Sequence, residues 1–294
     1  MYRVFPTPDR QIDKKCIFVI ISPNLPESQP LQKIVIIPTY NEKENISSIV
    51  TAIFALAQQF HVLVIDDNSP DGTAQIVKDM QAAYPSSLFL EERKGKQGLG
   101  TAYIYGFRWA LTRGYSHIFE MDADFSHNPN DLDNLYEACL LGADVAVGSR
   151  YVKGGGNVNW PRNRVILSKG ASFYTHLITR LPVKDPTAGF VCYRREVLEA
   201  INLSEIKFVG YAFQIEMKFA AWKLGFKISE VPIIFQDRKY GASKMNKGIV
   251  KEGIAGVLYL RWQSWFKDYR SRVKKTGETQ FSPVNKEVFA KTKQ

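Results

Sequence analysis

Three short acidic segments hold the residues with which this sequence could do chemistry. Pro38-Thr39-Tyr40-Asn41-Glu42, Asp66-Asp67-Asn68-Ser69-Pro70-Asp71-Gly72 and Asp122-Ala123-Asp124 each follow an apolar run (KIVIIP, HVLVID and HIFEM) of the kind that forms a buried strand. Carboxylates gathered at one edge repel one another unless a cation or hydrogen-bond donors compensate them. A D-x-D closing a strand can place two hard oxygen ligands on a divalent metal that also holds a phosphate. An Asp-rich turn capping the next helix is the competing reading, and it applies most readily to residues 66–71. His127, just past the D-x-D, reads either as a phosphate or metal helper or as an ordinary loop residue.

The elements that must position these acids alternate regularly. Strands are predicted over 33–38, 61–66, 87–91, 117–121 and 144–148, and helices over 44–60, 73–84, 98–112 and 130–141. Such alternation predicts an α/β fold with a mostly parallel central sheet flanked by helices, in which ligands bind outside the carboxyl ends of the strands. A Gly-rich, Arg-rich connection follows over 150–164, and regularity loosens beyond it. Residues 1–32, with five prolines, read as an irregular extension, 33–246 as the α/β domain that carries the acids, 247–270 as an amphipathic helix and 271–294 as a basic, disordered tail.

Composition excludes several classes. With 294 residues, 45% hydrophobic and 23% charged, the chain is long enough for a sizeable core and is neither fibrous nor wholly disordered. Cys16, Cys139 and Cys192 suggest neither a disulfide framework nor a zinc site, and point to the cytoplasm. The glycines at 95, 98 and 100 lack the GxGxxG spacing, and no GxxxxGK[ST] occurs, which argues against dinucleotide and P-loop proteins. No apolar run reaches the ~18 residues of a membrane span.

Charge is divided unevenly. Residues 1–150 hold 13 Lys/Arg against 18 Asp/Glu, and residues 151–294 hold 26 against 11. The basic half seeks anions: phosphates, an acidic membrane surface or nucleic acid. No nucleic-acid-binding signature accompanies the charge, so nucleic acid is not an expected partner. Residues 247–269 place Trp262, Trp265 and Phe266 near Arg261 and Lys267, a pattern that suits a membrane interface and equally a core-packing helix.

In order along residues 33–247, PTYNE, DDNSPDGT, KQGLGTA, MDADFSHNP, GSRYVKGGG, NWPRNR, DPTAGF and DRKYGASK resemble the family 2 inverting glycosyltransferases. GSRYVKGGG, NWPxxR and the late GxSK are similar to the polyprenol-phosphate (dolichol-phosphate) mannosyltransferases among them. The resemblance implies a GT-A type fold and transfer of mannose from GDP-mannose to a polyprenyl or dolichyl monophosphate. A UDP-sugar donor, a saccharide hydroxyl acceptor, or a non-catalytic membrane-associated nucleotide-binding module are the alternatives. It places Pro38, Tyr40, Glu42, Ile65 and Asp67 at the nucleotide, and Asp122, Ala123 and Asp124 at the sugar diphosphate with its Mg2+ or Mn2+. Arg150, Arg238 and Lys244 match positions that contact donor or acceptor phosphate, and Arg164 and Ser168 match positions near the lipid phosphate. Ser126 stands where some relatives have a metal-binding Gln.

A lipid monophosphate, with a second pKa of about 6, is already largely dianionic near neutrality and needs no general base. The enzyme must instead hold two anions together, a task for Arg150, Arg162 and Arg164. Asp185, before Pro186, reads as a turn residue in preference to a base, and Trp160 as packing in preference to a stacking platform. The expected location is the cytoplasmic face of a membrane, held peripherally by 247–269 and the basic surface or through a small membrane-anchoring partner.

Overall fold

The structure, a computed structural model, describes residues 32–237 and 247–270. Apolar runs and helices alternate as β1 (Lys33–Thr39), α1 (Ile46–Phe54), β2 (His61–Asp66), α2 (Thr73–Gln81), β3 (Leu88–Glu92), α3 (Leu99–Thr112), β4 (His117–Glu120), α4 (Asp131–Leu140) and β5 (Val145–Ser149). Then come β6 (Gly156–Val158), α5 (Arg162–Thr179), β7 (Val191–Arg194), α6 (Arg195–Ala200), α7 (Tyr211–Lys223), β8 (Ile228–Pro232), β9 (Ile234–Gln236) and α8 (Lys247–Gln263). The strands form a seven-stranded sheet in the order β3-β2-β1-β4-β7-β5-β8 and a two-stranded sheet of β6 and β9.

The sheet is parallel except for β7, which runs antiparallel to both β4 and β5. The mostly parallel sheet expected from the alternation is present, with β7 its one antiparallel strand. After β6 and α5 the chain re-enters the sheet at the carboxyl edge it left, with Val191 at the start of β7 opposite Val147 near the end of β5, so β7 runs back against its neighbours.

Side chains of β1 and β2 alternate between two apolar layers. Ile34, Ile36, Leu63 and Ile65 face α3 and α7, and Val35, Ile37, Val62 and Val64 face α1 and α4; all eight are fully buried. Burial of each such side chain is worth about 1.5–3 kcal/mol. The predicted helix over 44–60 ends early, at Phe54. Residues beyond it turn to bring Phe60 edge-on against Phe119, with ring centroids 5.4 Å apart, ahead of β2.

The apolar part of α8 packs inward through Val257 and Leu260 against Ile215. Tyr269 is buried in the main core, and Arg270 bridges to Ile201. Residues 247–270 are thus packed onto the α/β body.

Helix α3 lies close on the sheet because Gly106 has no side chain. A Cβ there would meet Ile36 at 2.8 Å and Ile65 at 2.9 Å, both in the fully packed core. Gly106→Ala should therefore lower unfolding stability by about 1–3 kcal/mol in urea titrations through overpacking. A neutral result would show that α3 is free to shift.

Candidate active site

The acid-bearing strands are neighbours in the sheet, and their carboxyl ends form one edge. Thr39 pairs with Asp66 across β1 and β2, and Ile36 with Glu120 across β1 and β4. Here the acids divide into two kinds. Asp66 accepts hydrogen bonds from the Thr39 hydroxyl (2.8 Å), the Ser69 amide (2.8 Å) and the Ser69 hydroxyl (2.6 Å). Asp71 accepts from the Thr73 amide and hydroxyl and the Lys43 amide. Burial opposes charge on Asp71, but these donors outweigh it and hold the carboxyl below its ordinary range. For Asp66 and Asp71 the turn reading holds. Their turns are laced to the loop after β1 by Asn41 N–H to Ser69 and Glu42 N–H to Thr73, each 3.0 Å.

Asp67 has a different partner. Arg93, just past β3, donates to it through Nε at 2.6 Å and also donates to the Thr101 hydroxyl at 2.8 Å. Lys96 stands 5.0 Å from the centre of the Tyr40 ring. Both cations lie beside predicted nucleotide residues and are not among the residues the sequence singles out; their signal is the basic run Arg93-Lys94-Gly95-Lys96 between β3 and α3. Pro38 and Ile65 are cross-strand partners, and Tyr40 and Glu42 are half-buried at the rim.

At the D-x-D, Asp122 is half-buried, Ala123 points into the core and Asp124 is buried. The chain turns sharply through Phe125, whose φ of +58° is unfavourable for a bulky L-residue and lets the Ser126 amide donate to Asp124 Oδ1 at 3.0 Å. Ser126 Oγ and His127 Nδ1 are buried and have no hydrogen-bond partner among the described residues. Burial pushes His127 down to about 4, against the pull of Asp124, so its ring is neutral at physiological pH. It stacks on Phe190 at 4.9 Å.

Two carboxylates with an orphaned hydroxyl beside them are hard oxygen donors of the kind Mg2+ and Mn2+ take. Among the described residues no group of three or more His, Cys, Asp or Glu side chains could hold a metal by itself. The donor set therefore fits a metal whose remaining ligands are phosphate oxygens and water.

The opposite wall is basic. Arg150, following β5, grips Asp185 through its amide (3.0 Å), Nε (2.7 Å) and Nη2 (2.6 Å), and Nη2 also donates to the Thr187 hydroxyl at 3.0 Å. Asp185 is fully buried, and the Arg150 guanidinium lies among the rings of Tyr151, Trp160 and Phe235 at 5.2–5.5 Å. Both Asp185 oxygens are occupied by Arg150, and its carbonyl closes a turn with the Ala188 amide at 3.2 Å, which removes the case for a general base. Gly155 makes the approach possible: a Cβ there would lie 2.5 Å from the Ser149 carbonyl oxygen and 3.0 Å from the Arg150 backbone.

Arg164, in the first turn of α5, pairs with Asp237 at 3.0 Å and covers the Trp160 ring at 4.0 Å, which is the packing role expected of that Trp. Ser168, one turn on, accepts a 2.7 Å hydrogen bond from Tyr151, while Arg162 is exposed. The β6–β9 ribbon ties this wall to the D-x-D loop, since Gln236 N–H donates to the Ser126 carbonyl at 3.1 Å. Arg238 and Lys244 lie outside the described residues.

An apolar surface adjoins the basic wall. Ile166, Phe173 and Leu177 of α5, and Leu258, Trp262 and Trp265 around α8, are all more than half exposed. The packing reading of residues 247–269 holds for Val257 and Leu260, which are buried, while Leu258, Trp262 and Trp265 face outward. The α5 stripe was missed, although the spacing of Ile166, Phe173 and Leu177 is helical. No helix among the described residues is long and apolar enough to cross a membrane.

A strand-end D-x-D on a mixed sheet whose one antiparallel strand follows the loop that Arg150 grips is the arrangement of a GT-A type transferase fold. The chain belongs to glycosyl transferase family 2, whose family profile matches residues 34–201. It is 47% identical over 230 residues to the polyprenol monophosphomannose synthase of Mycolicibacterium smegmatis, covering 78% of this chain and 87% of that one. It is 44% identical over 237 residues to the undecaprenyl-phosphate mannosyltransferase of Micrococcus luteus, covering 79% and 97%. Among solved structures, glucosyl-3-phosphoglycerate synthase from Mycobacterium tuberculosis in complex with Mn2+, UDP and phosphoglyceric acid matches the fold with a TM-score of 0.60 at 18% identity over 79% of each chain.

Removing one partner of a buried ion pair strands the other charge. Asp185→Ala should lower stability by about 3–5 kcal/mol in urea titrations, and Arg150→Met combined with Asp185→Leu should recover most of that loss. Equal losses in the single and double variants would show that the pair is not the origin of the effect.

Proposed function

We propose that this glycosyltransferase moves mannose from GDP-mannose to a polyprenyl monophosphate, with inversion, at the cytoplasmic face of a membrane. The observation that carries this reading is the joining of a D-x-D edge to an arginine-bearing helix whose neighbouring surface is apolar and exposed. Such a site suits an acceptor that is a phosphate at one end and a hydrocarbon at the other. The names of the two relatives supply mannose and the polyprenyl class.

In this reading Pro38, Tyr40, Glu42, Ile65 and Asp67 receive the nucleoside, with Asp67 oriented by Arg93. Asp122, Asp124 and Ser126 would hold Mg2+ or Mn2+, whose chemistry there is neutralisation of the charge that builds on the leaving diphosphate. Arg164 and Ser168, joined by Arg238 and Lys244, orient the phosphates, and Arg150 contributes its fixed positive charge. An acceptor phosphate oxygen attacks the anomeric carbon as the bond to the diphosphate breaks, releasing GDP. The acceptor arrives as a dianion, so neither Asp185 nor His127 needs to remove a proton. The apolar faces of α5 and α8 rest on the membrane, directly or beside a small membrane-anchored partner.

Radiolabelled GDP-mannose, GDP-glucose, UDP-glucose and UDP-GlcNAc, each given with a polyprenyl phosphate in detergent, test the substrates. Label should enter lipid from GDP-mannose alone, disappear in EDTA, and fall by about 100-fold or more in Asp124→Ala. Label from a UDP-sugar would replace the donor, and full activity in EDTA would overturn the metal assignment. In vesicle flotation, Phe173→Ser with Trp262→Ser should release the protein from anionic liposomes; undiminished binding would remove α5 and α8 from the membrane contact.

A further inference from the structure

Helix α7 carries a buried lysine that the chemistry above does not use. Lys218 is fully buried, and its Nζ donates to the Ala188 carbonyl at 2.6 Å, the Gln214 carbonyl at 3.1 Å and Gln214 Oε1 at 3.2 Å. Three acceptors match the three N–H bonds of an ammonium, so these contacts describe the charged form. The Gln214 amide continues the chain, donating from Nε2 to Glu120 Oε2 at 2.7 Å. Glu120 is also fully buried and closes β4 two residues before Asp122.

The far end of this chain is the loop that holds Arg150. Ala188 lies three residues past Asp185, and that loop is fastened from two further sides. Glu230 of β8 accepts from the Lys184 and Asp185 amides at 2.9 and 3.0 Å, and Arg150 grips the Asp185 carboxylate. Lys218 supplies the fastening on the α7 side and is a buried positive charge near Glu120, Asp185 and Glu230, with Arg150 opposing it. Burying an ammonium is expensive unless its partners are fixed. A methionine or leucine would fill the same space without that cost, so packing alone does not account for a lysine here.

We propose that Lys218, through Gln214 and Glu120, is a positioning residue that keeps the Arg150–Asp185 clamp in register with the D-x-D strand end. Alignment of two anions at one carbon depends on the separation of these walls, and small misplacements are costly in rate. The inference rests on the transfer reaction proposed above for its kinetic readout, and on the clamp itself for its structural one.

Lys218→Met tests it. In the folded variant, turnover should fall by about tenfold or more, while affinity for GDP in the presence of Mn2+ changes by less than about threefold. The Arg150 Nε–H, identified in nitrogen-15 spectra by its absence from Arg150→Lys, should exchange with solvent about tenfold faster or more than in the wild type. A purely structural lysine would lower the melting temperature and leave both readouts unchanged at temperatures where the variant is folded. Should Lys218→Met not fold, Gln214→Leu breaks the same chain and is expected to move both readouts in the same direction. Wild-type turnover or wild-type Arg150 exchange in a folded variant overturns the proposal. Absence of transfer by the wild-type enzyme would overturn the substrate reading, and the exchange rate would then decide the role of Lys218 by itself.

Discussion

The grip of Arg150 on Asp185 is the interaction on which the basic wall of the cleft depends. Two charges removed from water are stable only if their geometry is good and their remaining hydrogen bonds are met. Here the pair is bidentate, reinforced by the Arg150 amide and by Thr187, and surrounded by Tyr151, Trp160 and Phe235. Its partners come from the loop after β5 and the loop before β7, segments 35 residues apart in sequence. The antiparallel course of β7 is what brings them together.

Around that pair, the uneven charge of the sequence becomes a spatial arrangement. The acids of the first half line the carboxyl edge of β1, β2 and β4; Arg150, the last residue of that half, follows β5, and Arg162 and Arg164 of the second half stand on α5. A diphosphate and a second phosphate placed between such walls meet fixed cations that need no reorganisation, which is the physical source of most electrostatic catalysis. The strained Phe125 backbone fits the same logic. It re-aims the chain so that Ser126 can satisfy Asp124 and return toward the β6–β9 ribbon.

Local pattern made β1 to β5 legible, because strands buried on both faces read as continuous apolar runs and each is followed by helical spacing. The D-x-D and its neighbours were legible for the same reason, since residues just past a buried strand must lie at the sheet edge. Beyond β5 the signals are non-local. The direction of β7 depends on where α5 delivers the chain, and a four-residue strand carries no mark of direction. The role of Asp185 depends on Arg150, which no spacing rule connects to it. Arg93 is hidden in a segment that glycines dominate, and the roles of Asp66 and Asp71 are set by short-range donors in their own turns and the loop after β1.

Direct attack by one phosphate on the anomeric carbon is the central claim, and the anomeric configuration of the product tests it most directly. The enzyme would be given GDP-α-mannose, Mn2+ and a polyprenyl phosphate, and the lipid-linked sugar examined by proton NMR. A β-linked mannosyl phosphate is the result this account predicts. An α-linked product would contradict a single in-line displacement.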